Sequence, residues 1–204
     1  MANANKPMGL LPVQYLNGAP WNGQARIYSI AYDYNTAIYP GDPVISSGTS
    51  DTNGVPGIVI YGGTGPIRGV VVGIGRYESL MANPSNLDRA YYPANGDGNT
   101  GPWYAMVVDD PNVLFEVQEA SGTQQLAAAD MGLNTILKSG TGNGYVSGWQ
   151  LSSYTDATPA TTATLAVRLM GLVRRQDNAF GAYAKHLVKI NVHELGTGFG
   201  ASGV

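Results

Sequence analysis

The sequence predicts a mainly β protein, an antiparallel β-barrel or sandwich with long loops, one short helix and an extended N-terminal arm. Three observations indicate this fold class. Short segments in which apolar and polar residues alternate recur along the chain. Glycine makes up 28 of the 204 residues, about twice its average share, and only one segment has the composition of a helix. Many short strands separated by glycine-rich turns are typical of antiparallel barrels and sandwiches.

Residues 1–25 are predicted to form the extended arm. Pro7, Pro12 and Pro20 fix the backbone torsion φ and bias the residues before them toward extended conformations. The segment is nevertheless too apolar for a solvated tail. Its candidate contact residues are Leu10, Leu11, Val13, Tyr15 and Trp21. Such an arm lies either against its own domain or against a neighbouring chain, and the sequence leaves both alternatives open.

Residues 26–194 are predicted to form the β domain. Alternation and β-branched or aromatic residues predict strands at 26–32, 44–45, 57–61, 67–77, 103–109, 113–118, 164–174 and 186–194. In segment 164–174 strict alternation puts Leu165, Val167, Leu169 and Val173 on one face. The same alternation puts Arg168, Met170, Leu172 and Arg174 on the other face.

Three further segments interrupt this pattern. Residues 123–131 contain helix-forming side chains, and Gly132 after them is suited to a C-cap, so this segment is the expected short helix. Residues 81–101 carry prolines and a run of Asn, Gly and Asp, which predicts a loop excursion of the kind that often has a function. Residues 195–204 are rich in glycine and are expected to form a tail.

The titratable residues do not form a recognisable catalytic pattern. Cysteine is absent, which excludes disulfides and thiolate chemistry. His186 and His193 are seven residues apart, so on one strand they would point to opposite faces, and each is expected at a sheet margin or a subunit contact. Glu116 and Glu119 are expected to face water. We therefore expect no catalytic residue, no cofactor and no metal site.

Two other polar segments contain residue types found in metal or catalytic sites. Residues 95–99 place oxygen-bearing side chains at alternate positions, as calcium loops do, but a glutamate is missing at the twelfth position. Asp109 and Asp110 precede Pro111, where aspartate commonly accepts hydrogen bonds from the backbone of a turn. Residues 95–99 are interpreted as a solvated turn cluster, and Asp109 and Asp110 as residues that bind the backbone of a turn.

Basic residues cluster near the C-terminus although the chain is acidic overall. Five of its 11 basic residues fall within 22 positions, and the only carboxylate among them is Asp177. These five are Arg168, Arg174, Arg175, Lys185 and Lys189. A basic patch can steer an acidic partner into place. With a net charge of −3, the chain favours a protein partner over nucleic acid, and no apolar run approaches the ~20 residues of a membrane span.

The overall composition predicts contacts with other subunits. Only 12% of the residues are charged, whereas the chain has 13 tyrosines and three tryptophans. Tyrosine and tryptophan are enriched at protein interfaces, and lysine and glutamate are depleted there. We therefore expect a homo-oligomer whose outside is largely covered by neighbours.

Four segments together resemble the small head decoration, or cement, proteins of tailed bacteriophages. They are MANANKPMGLLPV at 1–13, NGAP at 17–20, GDPV at 41–44 and NAFGAYAKHLVKINVH at 178–193. The resemblance spans most of the chain and rests on overall texture, without a diagnostic motif. It implies a capsid-associated structural protein without catalytic residues.

This resemblance also implies a partner and a location. The partner is the major capsid protein, and the chain binds the outside of the assembled shell, bridging neighbouring subunits, as a trimer or alternatively a dimer. The protein would be made in the host cytoplasm and reside on the capsid surface of the virion. Two alternatives stay open: a tail, neck or fibre component, and a carbohydrate-binding β-module that stacks sugars on its tyrosines.

Overall fold

A computed structural model describes residues 3–76, 90–98, 101 and 103–196. The described residues form a mainly β protein with twelve strands, which confirms the predicted fold class. The strands are β1 (Leu11–Tyr15), β2 (Arg26–Ile30), β3 (Pro43–Ser50), β4 (Pro56–Ile60), β5 (Gly69–Arg76), β6 (Trp103–Val108), β7 (Val113–Gln118), β8 (Asn134–Thr135), β9 (Leu137–Lys138), β10 (Gln150–Leu151), β11 (Val167–Leu172) and β12 (Lys185–Ile190).

The first half of the chain closes into a five-stranded barrel with the strand order β2-β4-β3-β5-β6. Its pairs are antiparallel except for the parallel contact between β2 and β4 that closes the ring. Tyr28, Ile30, Val71, Val107 and other apolar side chains fill the interior. The ring is therefore a packed core, as expected for a barrel this small.

Strand β1 and the second half of the chain form a five-stranded antiparallel sheet, ordered β1-β7-β12-β11-β8, that packs on the barrel wall. Neighbouring residues on a strand point to opposite faces. Val71 and Val107 therefore face the barrel interior, while Val70 and Val108 face the core under the sheet. This double burial explains why β5 and β6 are continuous runs of valine and other apolar residues. A short ribbon of β9 and β10 completes the fold.

The N-terminal segment lies against its own domain. Leu10 is fully buried in the core under the sheet, and β1 pairs with β7. The segment crosses the start of β3 at Gly9, where a Cβ atom would lie 2.3 Å from the carbonyl oxygen of Gly41. Gly9 also has a φ of +69°, which favours glycine. Of the two alternatives for the arm, the described residues show the contact with the same chain.

The predicted helix at 123–131 is wrong. Only a 3-10 turn forms there, at Ala128–Asp130. Two backbone N–H groups of the segment are bound by carboxylates instead of by helix carbonyls: the N–H of Leu126 donates to Glu119 at 2.8 Å and that of Ala127 to Asp130 at 2.8 Å. These bonds hold the segment as a loop over the core.

The predicted excursion at 81–101 and the tail at 195–204 lie largely outside the described residues. Within the excursion, Ala94–Gly98 forms a 3-10 turn, although its composition suggested no regular structure. Tyr92 is fully buried against the barrel, and its hydroxyl donates to the carbonyl of Ala31 at 2.8 Å. This part of the excursion therefore belongs to the barrel core.

Candidate functional site

The outer face of the five-stranded sheet gathers side chains from both ends of the chain. On β12, His186, Val188 and Ile190 face the core, which leaves Lys185, Leu187 and Lys189 on the outer face. Leu187 lies opposite Glu116 on β7, and Glu116 lies opposite Leu11 on β1. Lys189 lies opposite Arg168 on β11. Strand pairing thus brings the N-terminal segment next to the C-terminal basic residues.

Two bulges and one loop expose apolar side chains on this face. β1 is irregular between Pro12 and Gln14, and β11 between Leu169 and Gly171. Such bulges re-aim side chains, and the residues inside them, Val13 and Met170, are 36% and 39% exposed. Phe180, in the loop between β11 and β12, is 42% exposed.

These side chains line a groove of about 850 Å³, called here the outer-face groove. Its walls come from β1, β7, β11, β12 and the loops beside them. The lining residues are Val13, Gln14, Glu116, Met131, Met170, Gly171, Leu172, Val173, Arg174, Arg175, Phe180 and Leu187. The groove is therefore an apolar depression bordered by arginines, as protein-binding surfaces often are.

A bidentate ion pair lies inside the groove. Arg175 donates to both carboxylate oxygens of Glu116, from Nη2 at 2.8 Å and from Nη1 at 3.3 Å. Glu116 is 8% exposed, so the expectation that it faces water is wrong. Arg175 also lies 3.6 Å from Asp177. Since Glu116 and Asp177 both contact Arg175, its charge is compensated within the chain, and Arg175 is a weaker candidate contact than its neighbour Arg174.

The other basic residues leave this face positively charged. No salt bridge within the described part of the chain involves Arg174, Lys185 or Lys189. Arg168 donates from Nε to the side-chain oxygen of Asn134 at 3.1 Å. The five basic side chains together with Glu116 and Asp177 sum to a charge of +3, although the whole chain carries −3. The arrangement can bind an acidic partner that also offers apolar side chains.

Of the ten predicted contact residues, only Val13, Arg174 and Arg175 line this groove. Leu10 is fully buried, so it is not available to a partner, and its proposed contact role is wrong. Tyr15 and Trp21 are half-buried and pack against the core under the sheet. Leu11 and Lys185 instead line a small crevice beside the groove, together with Glu116. The structure therefore groups Leu11, Val13 and the five basic residues on one face, and separates the rest.

The sequence did not identify the residues that make the groove apolar. Met131, Met170, Phe180 and Leu187 were not predicted as contacts. Strict alternation correctly places Met170 on the face opposite Leu169, but it does not account for the bulge that follows. Because the strand register shifts between Leu169 and Gly171, Leu172 pairs with His186 on β12. Only Leu187, between two lysines on an alternating strand, carried a signal that could have been recognised.

Both histidines are buried inside the protein. His186 Nε2 lies 3.1 Å from Oε2 of Glu119, and both side chains are fully buried. The expectations of a histidine at a margin and of a water-facing Glu119 are therefore wrong. His193 accepts a hydrogen bond at Nδ1 from the N–H of Leu195, and burial lowers its pKa from 6.5 to about 4. At neutral pH His193 therefore adds no charge to the surface.

The aspartates between β6 and β7 have different roles. Asp110 accepts the N–H of Asn112 at 2.8 Å, as expected for a turn. Asp109 is buried and accepts the hydroxyl of Tyr28 at 2.6 Å and Nη1 of Arg26 at 3.2 Å, so in the described structure it binds these side chains and not, as had been expected, the backbone of the turn. Within the described ranges, no three His, Cys, Asp or Glu side chains are placed to hold a metal ion.

Comparison with known proteins adds no relative. The chain matches no protein-family model, no curated protein and no solved structure. Among the described residues no helix has the length and apolarity needed to cross a membrane.

Proposed function

We propose that this chain is a non-enzymatic structural protein of a tailed-bacteriophage virion. It binds the outside of the assembled capsid and stabilises the shell by bridging neighbouring subunits of the major capsid protein. The observation that carries this proposal is the outer-face groove, where the exposed side chains of Val13, Met170 and Phe180 lie beside Arg174. The resemblance of the terminal segments to decoration proteins supports the same function.

The groove suggests how binding would work. An acidic surface is attracted by Arg174 and its basic neighbours, and its apolar side chains then cover Val13, Met170 and Phe180. A protein that binds only the assembled lattice stabilises that lattice by mass action. Strand β1 makes backbone contacts on both sides within its own chain, so it is not open to pairing with a partner's strand. One edge of β1 pairs with β7, and on the other edge the N–H of Trp21 donates to the carbonyl of Val13.

Binding to purified capsids that lack this protein tests the groove. Met170→Asp places a charge in the apolar depression, and Leu16→Asp is the matched control because Leu16 is exposed outside the groove lining. We expect Met170→Asp to weaken binding at least about tenfold, since buried apolar contacts carry most of the affinity of an interface. Leu16→Asp should bind like the unmodified protein. Equal binding by both variants would contradict the assignment of the groove.

Neutralising one arginine tests the electrostatic part. Arg174→Gln should weaken capsid binding roughly threefold to tenfold at low ionic strength, with a smaller effect at high salt. Arg26→Gln removes the same charge from an exposed side chain outside the groove and should leave binding nearly unchanged.

Electron microscopy of virions carrying a tagged copy locates the protein. Density on the tail, neck or fibres instead of the head would overturn the capsid assignment.

A further inference from the structure

A polar cleft lies away from the outer-face groove, between the β9–β10 ribbon and the loop before β12. Its volume is about 220 Å³, which is below the range usual for drug-sized ligands. Its polar lining comes from five separate segments of the chain. The side chains concerned are Asn5, Ser121, Lys138, Ser139, Gln150 and Tyr183. In small-molecule sites a few converging polar groups fix the orientation of the ligand, and this cleft brings six polar side chains around one depression.

Most of these polar groups are not used by the protein itself. Within the described part of the chain no hydrogen bond occupies the side chains of Ser121, Ser139, Gln150 or Tyr183. The side-chain oxygen of Asn5 accepts a bond from Gln118 at 2.9 Å, which leaves its NH₂ group for another partner. Hydroxyl and amide groups both donate and accept hydrogen bonds. The cleft therefore offers uncharged donors and acceptors to a ligand.

The single charged group in the cleft is compensated. Nζ of Lys138 lies 2.8 Å from Oδ2 of Asp156. The hydrogen bond from Lys138 lowers the pKa of the Asp156 carboxyl, so Asp156 carries a negative charge beside Lys138 at neutral pH. A cleft with a compensated lysine and several neutral polar groups suits a neutral ligand better than an ion.

The floor of the cleft is bare backbone. A Cβ atom on Gly140 would lie 2.1 Å from the carbonyl oxygen of Gly148, and one on Gly148 would lie 2.3 Å from that of Thr141. Only glycine at both positions allows the two backbone segments to come this close. The close approach of these two lining segments thus depends on glycine at both positions.

Tyr183 borders the cleft in a strained conformation. Its φ is +62°, which is unusual for a residue with a bulky side chain. The loop is held by other groups: Asn178 donates to the carbonyls of Val173 and Lys185, both at 2.8 Å, and the N–H of Lys185 donates back to Asn178 at 2.9 Å. The phenol of Tyr183 forms no hydrogen bond among the described residues. Its strained placement at the cleft therefore points to a ligand contact.

From this geometry we infer that the cleft bordered by Tyr183, Gln150, Ser121 and Ser139 binds one ring of a neutral saccharide. Sugar hydroxyls match neutral donors and acceptors, and an aromatic ring suits the apolar face of a pyranose. The ring is either a free monosaccharide or the terminal unit of a surface glycan, since both present the same groups. The inference does not depend on the proposed capsid function, because it concerns a different surface.

Titration of the full-length protein with sugars tests the inference. The probes are glucose, galactose, mannose and N-acetylglucosamine, each as the free sugar and as the terminal unit of a trisaccharide, with sodium sulfate as the anionic comparison. Amide NMR signals of Ser121, Ser139, Gln150 and Tyr183 report on the cleft. We expect at least one sugar to shift these signals with an affinity in the millimolar range, and sulfate to leave them unchanged. Tighter binding of a trisaccharide than of its free sugar would identify a glycan terminus.

Variants separate the cleft from the rest of the surface. Tyr183→Gly removes the ring at a φ that favours glycine, so the loop keeps its conformation, and sugar binding should fall at least fivefold. Gln150→Ala should lower it about threefold or more. Tyr145→Ala, at an exposed tyrosine outside the cleft, should not change it. Three results would overturn the inference. Sugar binding could persist in both cleft variants, sulfate could shift the amide NMR signals of the cleft while sugars do not, or no sugar could shift them. None of these results bears on capsid binding.

Discussion

Asp42 is a buried carboxyl directly before β3. It is 2% exposed, and Oδ2 accepts the backbone N–H of Tyr39 at 2.8 Å. Burial raises the pKa of Asp42 from 3.8 to about 6, although hydrogen bonds from Ser147 and Tyr39 partly oppose the shift. The folded state therefore retains a proton between pH 4 and 6 that the unfolded chain has lost. In this window the contribution of Asp42 to the free energy of unfolding decreases as pH rises.

Replacing Asp42 by asparagine should stabilise the protein at neutral pH. Asparagine keeps a side-chain oxygen that can accept the N–H of Tyr39, and it carries no buried charge. We expect Asp42→Asn to raise the free energy of unfolding at pH 7 by on the order of 2 kcal/mol, and to have little effect near pH 4. Urea unfolding of both proteins at several pH values measures this difference. Asp33→Asn, at an exposed carboxyl, is the control, and an Asp42→Asn difference independent of pH would contradict the argument.

At the scale of elements, β1 connects the N-terminal segment to the sheet. Pro12 lies within this strand, opposite Phe115. Proline is tolerated at the edge of a sheet, where its missing N–H removes no bond to a second neighbour. The three prolines thus predicted an extended segment but not its strand pairing.

Because Leu10 belongs to the core, removal of residues 1–20 is expected to destabilise the domain. An arm separate from the domain would instead leave its stability unchanged when removed.

Truncation of Leu10 measures how much this segment contributes. Leu10→Ala leaves a cavity in the core under the sheet, and we expect a loss of about 2–4 kcal/mol in the free energy of unfolding. The matched control is Leu16→Ala, whose side chain is exposed beyond the end of β1, with an expected change within about 0.5 kcal/mol. Denaturant unfolding of both variants gives the values. Equal values for the two leucines would show that the segment is not part of the folded core.

In the whole molecule, more of the aromatic side chains are buried in the protein's own core than the composition led us to expect. Tyr28, Tyr61, Tyr92 and Tyr104 are buried, and of the tyrosines that the structure describes only Tyr32 and Tyr145 are exposed. Two packed cores account for many of the rings. The high tyrosine content is therefore weaker evidence for subunit contacts than the sequence suggested, because many of these rings lie inside the protein. The outer-face groove becomes the main reason to expect a partner.

The oligomeric state remains a prediction that light scattering can test. We expect the purified protein to have a mass above the 21.4 kDa of one chain, with a trimer as the first expectation and a dimer as the second, because so few charges are available to keep single copies apart. Met170→Asp should leave this mass unchanged if the groove serves the capsid. Dissociation by Met170→Asp would instead assign the groove to a second copy, and a monomer at micromolar concentration would contradict the oligomer.

Strand positions were predictable where one face or both faces of the strand are buried. The bounds of β7 match the predicted segment 113–118, and β2, β5, β6, β11 and β12 lie within a few residues of theirs. Alternation and runs of valine reflect burial directly, so they are visible in the sequence. The absence of a helix at 123–131 was not predictable, because the Glu119 carboxylate that binds the N–H of Leu126 comes from the end of the neighbouring strand.

The sequence alone determined the β class, the position of most strands and the clustering of basic residues near the C-terminus. Only the tertiary structure decided that Glu116 compensates Arg175, that Leu10 is core and Val13 is surface, and that a bulge exposes Met170. The physical reason is sequence separation. Glu116 and Arg175 are 59 residues apart, and pairing between strands, which no local pattern encodes, sets which side chains meet on one face of the sheet.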